Sequence, residues 1–247
     1  MKVCHFVAQV GLGRGDAFVP LENALCEHIS IVMLVPEDAR FLTELDPRVE
    51  IYRYQHPGGR HDPRFYWELW RLFREIKPDL VHTHFAKATE VFARLNRWLR
   101  LPMVATKHNP RKGRIFNRVA PVIAVSEGVK QSIRHDQVEV IHNGIVIEPV
   151  DRSSPALSCF EIIAVGRLTP IKGFDRLLEQ LATLDFAYRL TMLGDGEQRE
   201  ILQQQAERLG IADRVVFAGF VTDVAQRIAH SHLQVMSSHS EGFSLAM

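Results

Sequence analysis

Short apolar runs alternate with amphipathic stretches along nearly the whole chain, and this alternation limits the folds that it can adopt. The predicted strands are 3–8, 29–35, 49–54, 80–83, 103–106, 122–125, 138–141, 160–165, 188–193, 215–217 and 233–236. The predicted helices are 18–27, 64–76, 88–99, 127–134, 175–184, 197–209 and 224–230. Nearly unbroken apolar strands that alternate with helices predict an α/β fold, with parallel sheets covered on both faces.

The alternation is interrupted once, in residues 148–158. This segment contains two prolines and three serines and has no apolar periodicity, which is typical of a linker. The alternation then restarts. We therefore predict an N-terminal domain over 1–148, a linker over 149–158 and a C-terminal domain over 159–247.

Composition excludes several classes of protein. The formal net charge of +1 argues against a dedicated nucleic-acid binder. The three cysteines are widely spaced and form no CxxC pair, so we expect free thiols rather than a zinc ribbon. The N-terminus lacks the long apolar stretch of a signal peptide, and no run approaches a membrane span. We expect a cytoplasmic protein, with peripheral contact to the inner membrane face as an option.

The charge is nevertheless uneven. Residues 53–118 contain 15 lysines and arginines against five acidic residues, and such a stretch favours an anionic partner. One loop after a predicted strand concentrates residues that we predict on the acceptor side: Lys107, His108, Arg111, Lys112 and Arg114. The alternative is that these cations are scattered and only keep the domain soluble.

The predicted helix 64–76 is both aromatic and basic. Its apolar residues recur at helical spacing and predict a core-facing stripe: Phe65, Leu69, Leu72, Phe73 and Ile76. The stripe leaves four residues on the other side of this helix: Trp67, Trp70, Arg71 and Arg74. Packing on the sheet is the favoured interpretation, and a membrane-surface helix is the alternative.

Two constellations follow predicted strands of the second domain. Arg167 and Lys172 follow the strand 160–165, at the edge where open α/β sheets bind ligands, and two cations beside a helix N-terminus suit a diphosphate. The polar loop after the strand 233–236 leads into Glu241 and Gly242, where a helix begins with free backbone N–H groups. Taken alone, the first is also compatible with a solvated turn, and the second with a helix N-cap.

These constellations belong to an ordered set of motifs that runs through the whole chain. The set consists of GLGRG at 11–15, PDLVHTH at 78–84, AVSEGV at 124–129, VIHNGI at 140–145, VGR at 165–167 with KG at 172–173, LGDG at 193–196 and SEGF at 240–243. In number, order and spacing it resembles the retaining family-4 (group 1) glycosyltransferases of the GT-B fold. The resemblance implies two Rossmann-like domains whose parallel sheets face a cleft.

The resemblance also implies roles for individual residues. Arg167 and Lys172 match the pair that neutralises the donor diphosphate, and Gly13 and Gly15 match a loop close to it. Glu241 matches the first acid of the E-x7-E motif, which holds donor-sugar hydroxyls. The remaining donor positions are Gly242, Phe243, Ser244 and Leu245 toward the sugar and Val221 toward the nucleotide base.

Histidines complete the implied site. His82 and His84 stand two apart at a strand end and share one face. A metal pair is conceivable, but the sequence shows no third ligand nearby. A strand-end histidine bonded to backbone is the other local interpretation. The resemblance instead places His84 near the donor sugar, as a catalytic residue with Glu241. Asp195-Gly196-Glu197 is interpreted as a turn and N-cap rather than a metal motif, so we expect no metal cofactor.

We therefore predict a glycosyltransferase that moves a sugar, with retention, from a nucleoside-diphosphate-sugar to an acceptor hydroxyl. The donor is taken as a UDP-sugar by default, and the acceptor as an anionic cell-envelope glycan or glycolipid such as lipopolysaccharide. The alternatives are a nucleotide-sugar epimerase of the same fold and an inactive nucleotide-sugar-binding fragment. Because the chain stops at the start of a predicted helix, we interpret the second domain as truncated.

Overall fold

The computed structural model describes residues 1–8, 18–39, 41–55, 61–111, 113–144, 149–151 and 159–240. It contains two parallel sheets, which belong to two compact units. The predicted linker lies mostly outside the described residues.

The first unit is built on a seven-stranded sheet in the order β3-β2-β1-β4-β5-β6-β7, with every neighbouring pair parallel. Its strands are β1 Lys2–Val7, β2 Ser30–Pro36, β3 Glu50–Tyr54, β4 Leu80–His84, β5 Met103–Lys107, β6 Val122–Ala124 and β7 Val138–Val140. Alternate residues of β1 enter different buried clusters: Cys4 and Phe6 pack on one side, Val3 and Val7 on the other. The sheet is therefore buried on both faces, as its apolar strands predict.

Helices cover both faces of this sheet. They are α1 Phe18–Leu25, α2 Pro63–Ile76, α3 Phe85–Leu99 and the short α4 Glu127–Lys130, with 3-10 turns at Phe41–Glu44 and Arg114–Asn117. Helix α1 packs with the cluster of Val3 and Val7, whereas α2 and α3 pack with the cluster of Phe6. The right-handed crossovers of parallel strands place connections on opposite faces when the strand order reverses direction.

Helix α2 shows how the sequence fixes one of these elements. The Asp62 side chain accepts a hydrogen bond from the Arg64 backbone N–H, and Pro63 occupies the first turn, where it has no N–H to satisfy. The buried residues are the five of the predicted stripe: Phe65, Leu69, Leu72, Phe73 and Ile76. Each contributes about 1.5–3 kcal/mol of apolar burial. The core-facing interpretation is confirmed, and Trp67 and Trp70 are left exposed.

The second unit is built on a four-stranded parallel sheet in the order β10-β9-β8-β11. Its strands are β8 Phe160–Val165, β9 Tyr188–Leu193, β10 Val215–Gly219 and β11 Leu233–Val235. Its helices are α5 Phe174–Leu181, α6 Arg199–Arg208 and α7 Val224–Ala229, with 3-10 turns at Pro170–Lys172 and Ala212–Arg214. The predicted strands and helices are all present, and most bounds differ by one to three residues.

Cys4, Cys26 and Cys159 are all free, as expected from their spacing. Within the described part of the chain, no helix is both long and apolar enough to cross a membrane.

Candidate active site

The strand order of the second sheet reverses between β8 and β11, because the chain moves from β8 to β9 and β10 on one side and returns to β11 on the other. In open α/β sheets ligands bind outside the carboxyl ends of the strands at such a reversal. Arg167 follows β8 and the loop 236–240 follows β11. The topology therefore brings the Arg167 turn and the described part of the second loop, residues 236–240, to one edge of one sheet.

Hydrogen bonds join the two constellations directly. The Ser237 hydroxyl donates to the Lys172 backbone carbonyl at 2.8 Å, and the His239 backbone N–H donates to the Ile171 carbonyl at 2.9 Å. Gly173 has φ +62, and a Cβ at this position would lie 2.3 Å from the Ser237 carbonyl oxygen. Only glycine therefore fits at the contact between the two loops.

The two cations themselves differ in their surroundings. Arg167 is exposed, whereas Lys172 is half-buried. The Lys172 stem lies beside Gly166, where an added Cβ would be 3.3 Å from Lys172 Cε. The turn that contains Arg167 packs closely against Gly194. Gly194 has φ +130, and a Cβ added there would lie 2.1 Å from the Gly166 carbonyl oxygen. A close backbone contact thus holds the base of the Arg167 turn.

Two further sequence predictions fall on described residues of this unit. Val221 lies two residues after β10 and is half-buried. The Arg199 backbone N–H donates to the Gly196 carbonyl at 3.1 Å, which confirms the predicted turn. Asp195 accepts a hydrogen bond from the Gly196 backbone N–H at 2.8 Å. It is not the N-cap of the next helix, because α6 begins at Arg199 and its N-cap is Gln198. Glu241, Gly242, Phe243, Ser244 and Leu245 lie outside the described residues.

The strand order of the first sheet reverses between β1 and β4, and a buried histidine cluster lies at that reversal. His5 of β1 is paired in register with His82 of β4. His5 Nδ1 is 3.1 Å from His84 Nε2, and His84 Nδ1 is 3.3 Å from His108 Nε2. Four imidazoles therefore lie together: His5, His82, His84 and His108.

Further partners fix this cluster. His82 Nε2 is 2.6 Å from the Thr106 hydroxyl, so a side chain rather than the backbone is the partner of this nitrogen. Glu22 of α1 is fully buried, and its Oε1 is 2.7 Å from His5 Nδ1. Neither Glu22 oxygen accepts a hydrogen bond of good geometry from a described residue. A buried carboxylate is costly unless a cation or a donor lies close to it.

Burial decides the protonation of the cluster. Burial lowers the pKa of His82 and His84 well below the ordinary value, with neighbouring histidines acting in the same direction. Burial also lowers the pKa of His108 to about 4. All three imidazoles are therefore neutral at pH 7. His84 is only 1% exposed, and its ring nitrogens face His5 and His108.

The structure supplies the third histidine that the sequence did not reveal beside His82 and His84. One ligand atom from each of His5, His82 and His84 lies within 4.8 Å of the others, a spacing that a divalent cation could use. Sequence reasoning missed His5 and Glu22 because they are 77 and 60 residues away from His82. The available signal was His5, a polar residue in an otherwise apolar predicted strand; Glu22 stands beside Asn23 in an amphipathic stretch and gave none.

The predicted acceptor-side loop separates into buried and exposed residues. Lys107 is buried, its Nζ donates to the Ser132 hydroxyl at 2.7 Å, and it lies 5.7 Å above the Phe116 ring. Burial lowers its pKa. Its amine is thus directed into the unit. Arg111 and Arg114 are exposed, while Lys112, Gly13 and Gly15 lie outside the described residues.

Two units that are each built on a parallel α/β sheet, with polar groups at the strand-order reversal, match the two Rossmann-like domains of the GT-B fold. The chain belongs to glycosyltransferase family 4: the Glycosyltransferase Family 4 pattern matches residues 21–148, and the Glycosyl transferases group 1 pattern matches residues 150–247. It is accordingly a glycosyltransferase enzyme, as the sequence motifs predict.

Related proteins agree with this assignment. The lipopolysaccharide core biosynthesis glycosyltransferase LpsE of Rhizobium meliloti is 28% identical over 255 residues, which cover 98% of this chain and 73% of LpsE. A Campylobacter jejuni α-1,4-N-acetyl-D-galactosaminyltransferase that acts on an undecaprenol-diphosphate-linked glycan is 26% identical over 271 residues, with 98% and 74% covered. Among solved structures, Anabaena HepE in complex with UDP and glucose has a TM-score of 0.81 at 23% identity, covering 99% of this chain and 76% of HepE.

Proposed function

We propose that this enzyme transfers a sugar from a nucleoside-diphosphate-sugar to a hydroxyl of a lipopolysaccharide or related cell-envelope glycan, with retention of anomeric configuration. The observation that carries the proposal is the contact between the Lys172 turn and the Ser237 loop at the strand-order reversal of the second sheet. LpsE, named for lipopolysaccharide core biosynthesis, supports the class of acceptor.

The donor diphosphate is assigned to Arg167 and Lys172. A diphosphate leaving group gains negative charge as the glycosidic bond breaks, and fixed cations stabilise that charge most in the transition state. Lys172 ends a 3-10 turn directly before α5, so the first N–H groups of α5 add a positive dipole end. Gly13 and Gly15 are assigned to the same phosphates from the first unit.

The remaining donor contacts follow the sequence motifs. Glu241 holds the sugar hydroxyls, residues 242–245 offer backbone amides to the sugar and the distal phosphate, and Val221 contacts the base. UDP is the nucleotide that we assign, supported by the UDP in the HepE complex. His84 is assigned to positioning rather than to direct contact, because its side chain is closed in by other imidazoles.

The reaction needs no group beyond donor, acceptor and protein. The bond between the sugar anomeric carbon and the diphosphate oxygen breaks, and the electron pair leaves with the diphosphate. The acceptor hydroxyl oxygen forms the new bond on the same face, and its proton passes to the departing phosphate oxygen. Arg167 and Lys172 supply the charge that a metal provides in other transferases, so we infer metal-independent transfer.

The acceptor is assigned to the first unit and is anionic. His108, Arg111, Lys112 and Arg114 remain its predicted residues, while Lys107 is better assigned to the domain core because its amine faces Ser132. Long-range attraction by the basic stretch 53–118 raises the encounter rate with such an acceptor.

Peripheral contact with the cytoplasmic membrane face is assigned to the outer side of α2. Trp67 and Trp70 are 64% and 40% exposed. The Arg71 guanidinium lies 6.0 Å from the Trp67 ring, and that of Arg74 lies 5.6 Å from the Trp70 ring. Alternating indole and guanidinium groups suit an interface with anionic headgroups.

Transfer is tested by incubating the enzyme with UDP-sugars and a deacylated lipopolysaccharide core, followed by NMR of the product. We expect a new glycoside with the anomeric configuration of the donor, in buffer that contains EDTA. Donor and enzyme are also incubated without acceptor. An epimerised sugar nucleotide there, with no glycoside when acceptor is present, would replace the transferase assignment with an epimerase.

A further inference from the structure

A groove of about 750 Å³ lies in the first unit, between the outer side of α3 and the turn Arg114–Asn117. This volume lies within the roughly 300–1,000 Å³ that ligand pockets occupy. Five of its lining residues are cations, and the carboxylate among the described lining residues is Glu90. The cations are Lys87, Arg94, Arg97, Arg114 and Arg118.

Among the residues that the structure describes, carboxylates pair with only part of this positive charge. Glu90 Oε1 lies 2.7 Å from Arg94, as an i,i+4 pair on α3. The other four cations form no ion pair with a carboxylate of the described residues. Arg94, Arg97, Arg114 and Arg118 are exposed. The groove therefore offers guanidinium groups to a ligand, and guanidinium binds phosphate through two parallel hydrogen bonds.

The walls of the groove are held by a close backbone approach. Gly113 has φ +112, and a Cβ there would lie 2.8 Å from the Phe116 ring and 3.4 Å from Ala86 Cβ. Phe116 is buried beneath the turn. Arg94 and Arg97 are three residues apart on α3, so they are neighbours on its surface. The cations thus project from a helix and a tightly packed turn.

The groove also begins at the carboxyl edge of the first sheet, next to the histidine cluster. Ala86 and Lys87 lie in the first turn of α3, directly after β4 and His84. Gly113 belongs to the connection that leaves β5 at the same edge. Apolar walls come from Ala86, Ala93, Ile115 and Val119. A ligand with sugar rings and phosphates matches this combination of apolar walls and cationic rim.

We propose that this groove binds the phosphate-bearing part of a glycan acceptor, an assignment that deepens the proposed function and depends on it. The groove lies beside the predicted basic loop and shares Arg114 with it. The rest of the phosphate-binding surface comes from α3 and from a residue that follows the loop: Lys87, Arg94 and Arg97 on the helix, and Arg118.

The test uses the full chain and two matched double variants. R97Q/R118Q removes two groove cations, and K130Q/R134Q removes two exposed cations of the same unit that do not line the groove. Calorimetry measures binding of mannopentaose 6-phosphate, with unphosphorylated mannopentaose as the neutral probe. We expect the affinity for the phosphorylated probe to fall about tenfold or more in R97Q/R118Q and to stay within twofold in K130Q/R134Q, since each loses the same charge.

Three results would overturn the groove assignment. The first is an unchanged affinity in R97Q/R118Q, and the second is an equal loss in both variants. The third is binding of the groove to phosphatidylglycerol vesicles but not to the phosphorylated probe, which would make the groove a membrane contact. UDP affinity is measured in parallel and should be equal in all three proteins. Absence of UDP binding by the unmodified chain would overturn the proposed function. The measured affinity for the phosphorylated glycan would still decide whether the groove binds phosphate.

Discussion

The Ser237 hydroxyl donates a hydrogen bond to the backbone carbonyl of Lys172 across 65 residues of sequence, at 2.8 Å. This bond connects the loop after β11 to the turn that presents the proposed diphosphate cation. Because the carbonyl belongs to Lys172 itself, the bond fixes the direction in which the Lys172 side chain leaves the backbone.

Replacing Ser237 with alanine should therefore weaken donor binding without removing any group that touches the donor. A neutral hydrogen bond contributes about 1 kcal/mol, so we expect the affinity for UDP to fall about fivefold. Ser231 provides the control, because its hydroxyl donates to the Ile228 carbonyl at the same 2.8 Å, at the end of α7. Calorimetry should show reduced UDP affinity in S237A alone. Equal affinities in S237A and S231A would mean that this bond does not position Lys172.

Direct removal of the cations should have a larger effect. R167A and K172A each remove one charge-assisted hydrogen bond to phosphate, which corresponds to about 1.5–3 kcal/mol of binding free energy. R176A is the control, since Arg176 is an exposed cation of α5 in the same unit. Calorimetry with UDP measures all three. UDP affinities that match the parent in both R167A and K172A would remove the diphosphate assignment.

Glu241 is expected to act on the sugar rather than on the nucleotide. E241Q should reduce transfer strongly while the affinity for free UDP stays close to that of the parent, because the amide loses charge but keeps its size. E200Q, at an exposed position of α6, serves as the control. Rates of transfer and UDP affinity are measured on the same preparations. A parallel loss of both in E241Q would indicate a structural helix cap instead.

The membrane contact can be tested on α2. W67A/W70A should bind phosphatidylglycerol vesicles more weakly than the parent, by about thirtyfold, because two exposed indoles contribute roughly 1 kcal/mol each at an interface. W98A is the control, because it removes one exposed indole from a different helix: Trp98 lies on α3 and is 71% exposed. Its vesicle binding is compared with that of the single variant W67A. Vesicle sedimentation at low and high salt measures the binding. If W67A/W70A binds the vesicles as strongly as the parent, and salt does not change the binding, the outer side of α2 is not the membrane contact.

The histidine cluster predicts a loss of stability in weak acid. In the unfolded chain these imidazoles titrate near pH 6.5, whereas burial holds the pKa of His108 at about 4 and those of His82 and His84 well below 6.5. As the pH falls below 6.5, the unfolded state therefore takes up protons first. The free energy of unfolding should fall between pH 6.5 and 4, by up to about 3 kcal/mol for His108 alone.

Tryptophan fluorescence isolates this effect, because the three tryptophans lie in α2 and α3 of the first unit. Urea unfolding at several pH values should give a shallower pH dependence for H108Q than for the parent. H28Q, which changes an exposed histidine of the same unit, should keep the dependence of the parent. An H108Q slope that equals the parent's would mean that His108 is protonated equally in the folded and unfolded chain.

The sequence predicts the strands and helices well, because apolar periodicity records which faces are buried. It also predicts correctly that Arg167 and Lys172 follow a strand at the carboxyl edge of the second sheet, where ligand sites of α/β sheets lie; their role toward a diphosphate stays a prediction. It does not predict that Lys107 points inward, since that depends on Ser132 and Phe116 across the tertiary fold. The groove arginines escape detection for the same reason: helix spacing places Arg94 beside Arg97, but only packing sets them opposite Arg118.

The row of imidazoles from His5 through His84 to His108 has one further consequence. A neutral imidazole carries one proton on two nitrogens, so it can donate at only one end. Because both nitrogens of His84 face another imidazole, the tautomer of His84 restricts the tautomers of His5 and His108. A ligand that accepts a hydrogen bond from His108 would therefore select which nitrogen of His84 carries the proton. Binding at the surface of the first unit would in this way change which imidazole nitrogens carry protons in its interior.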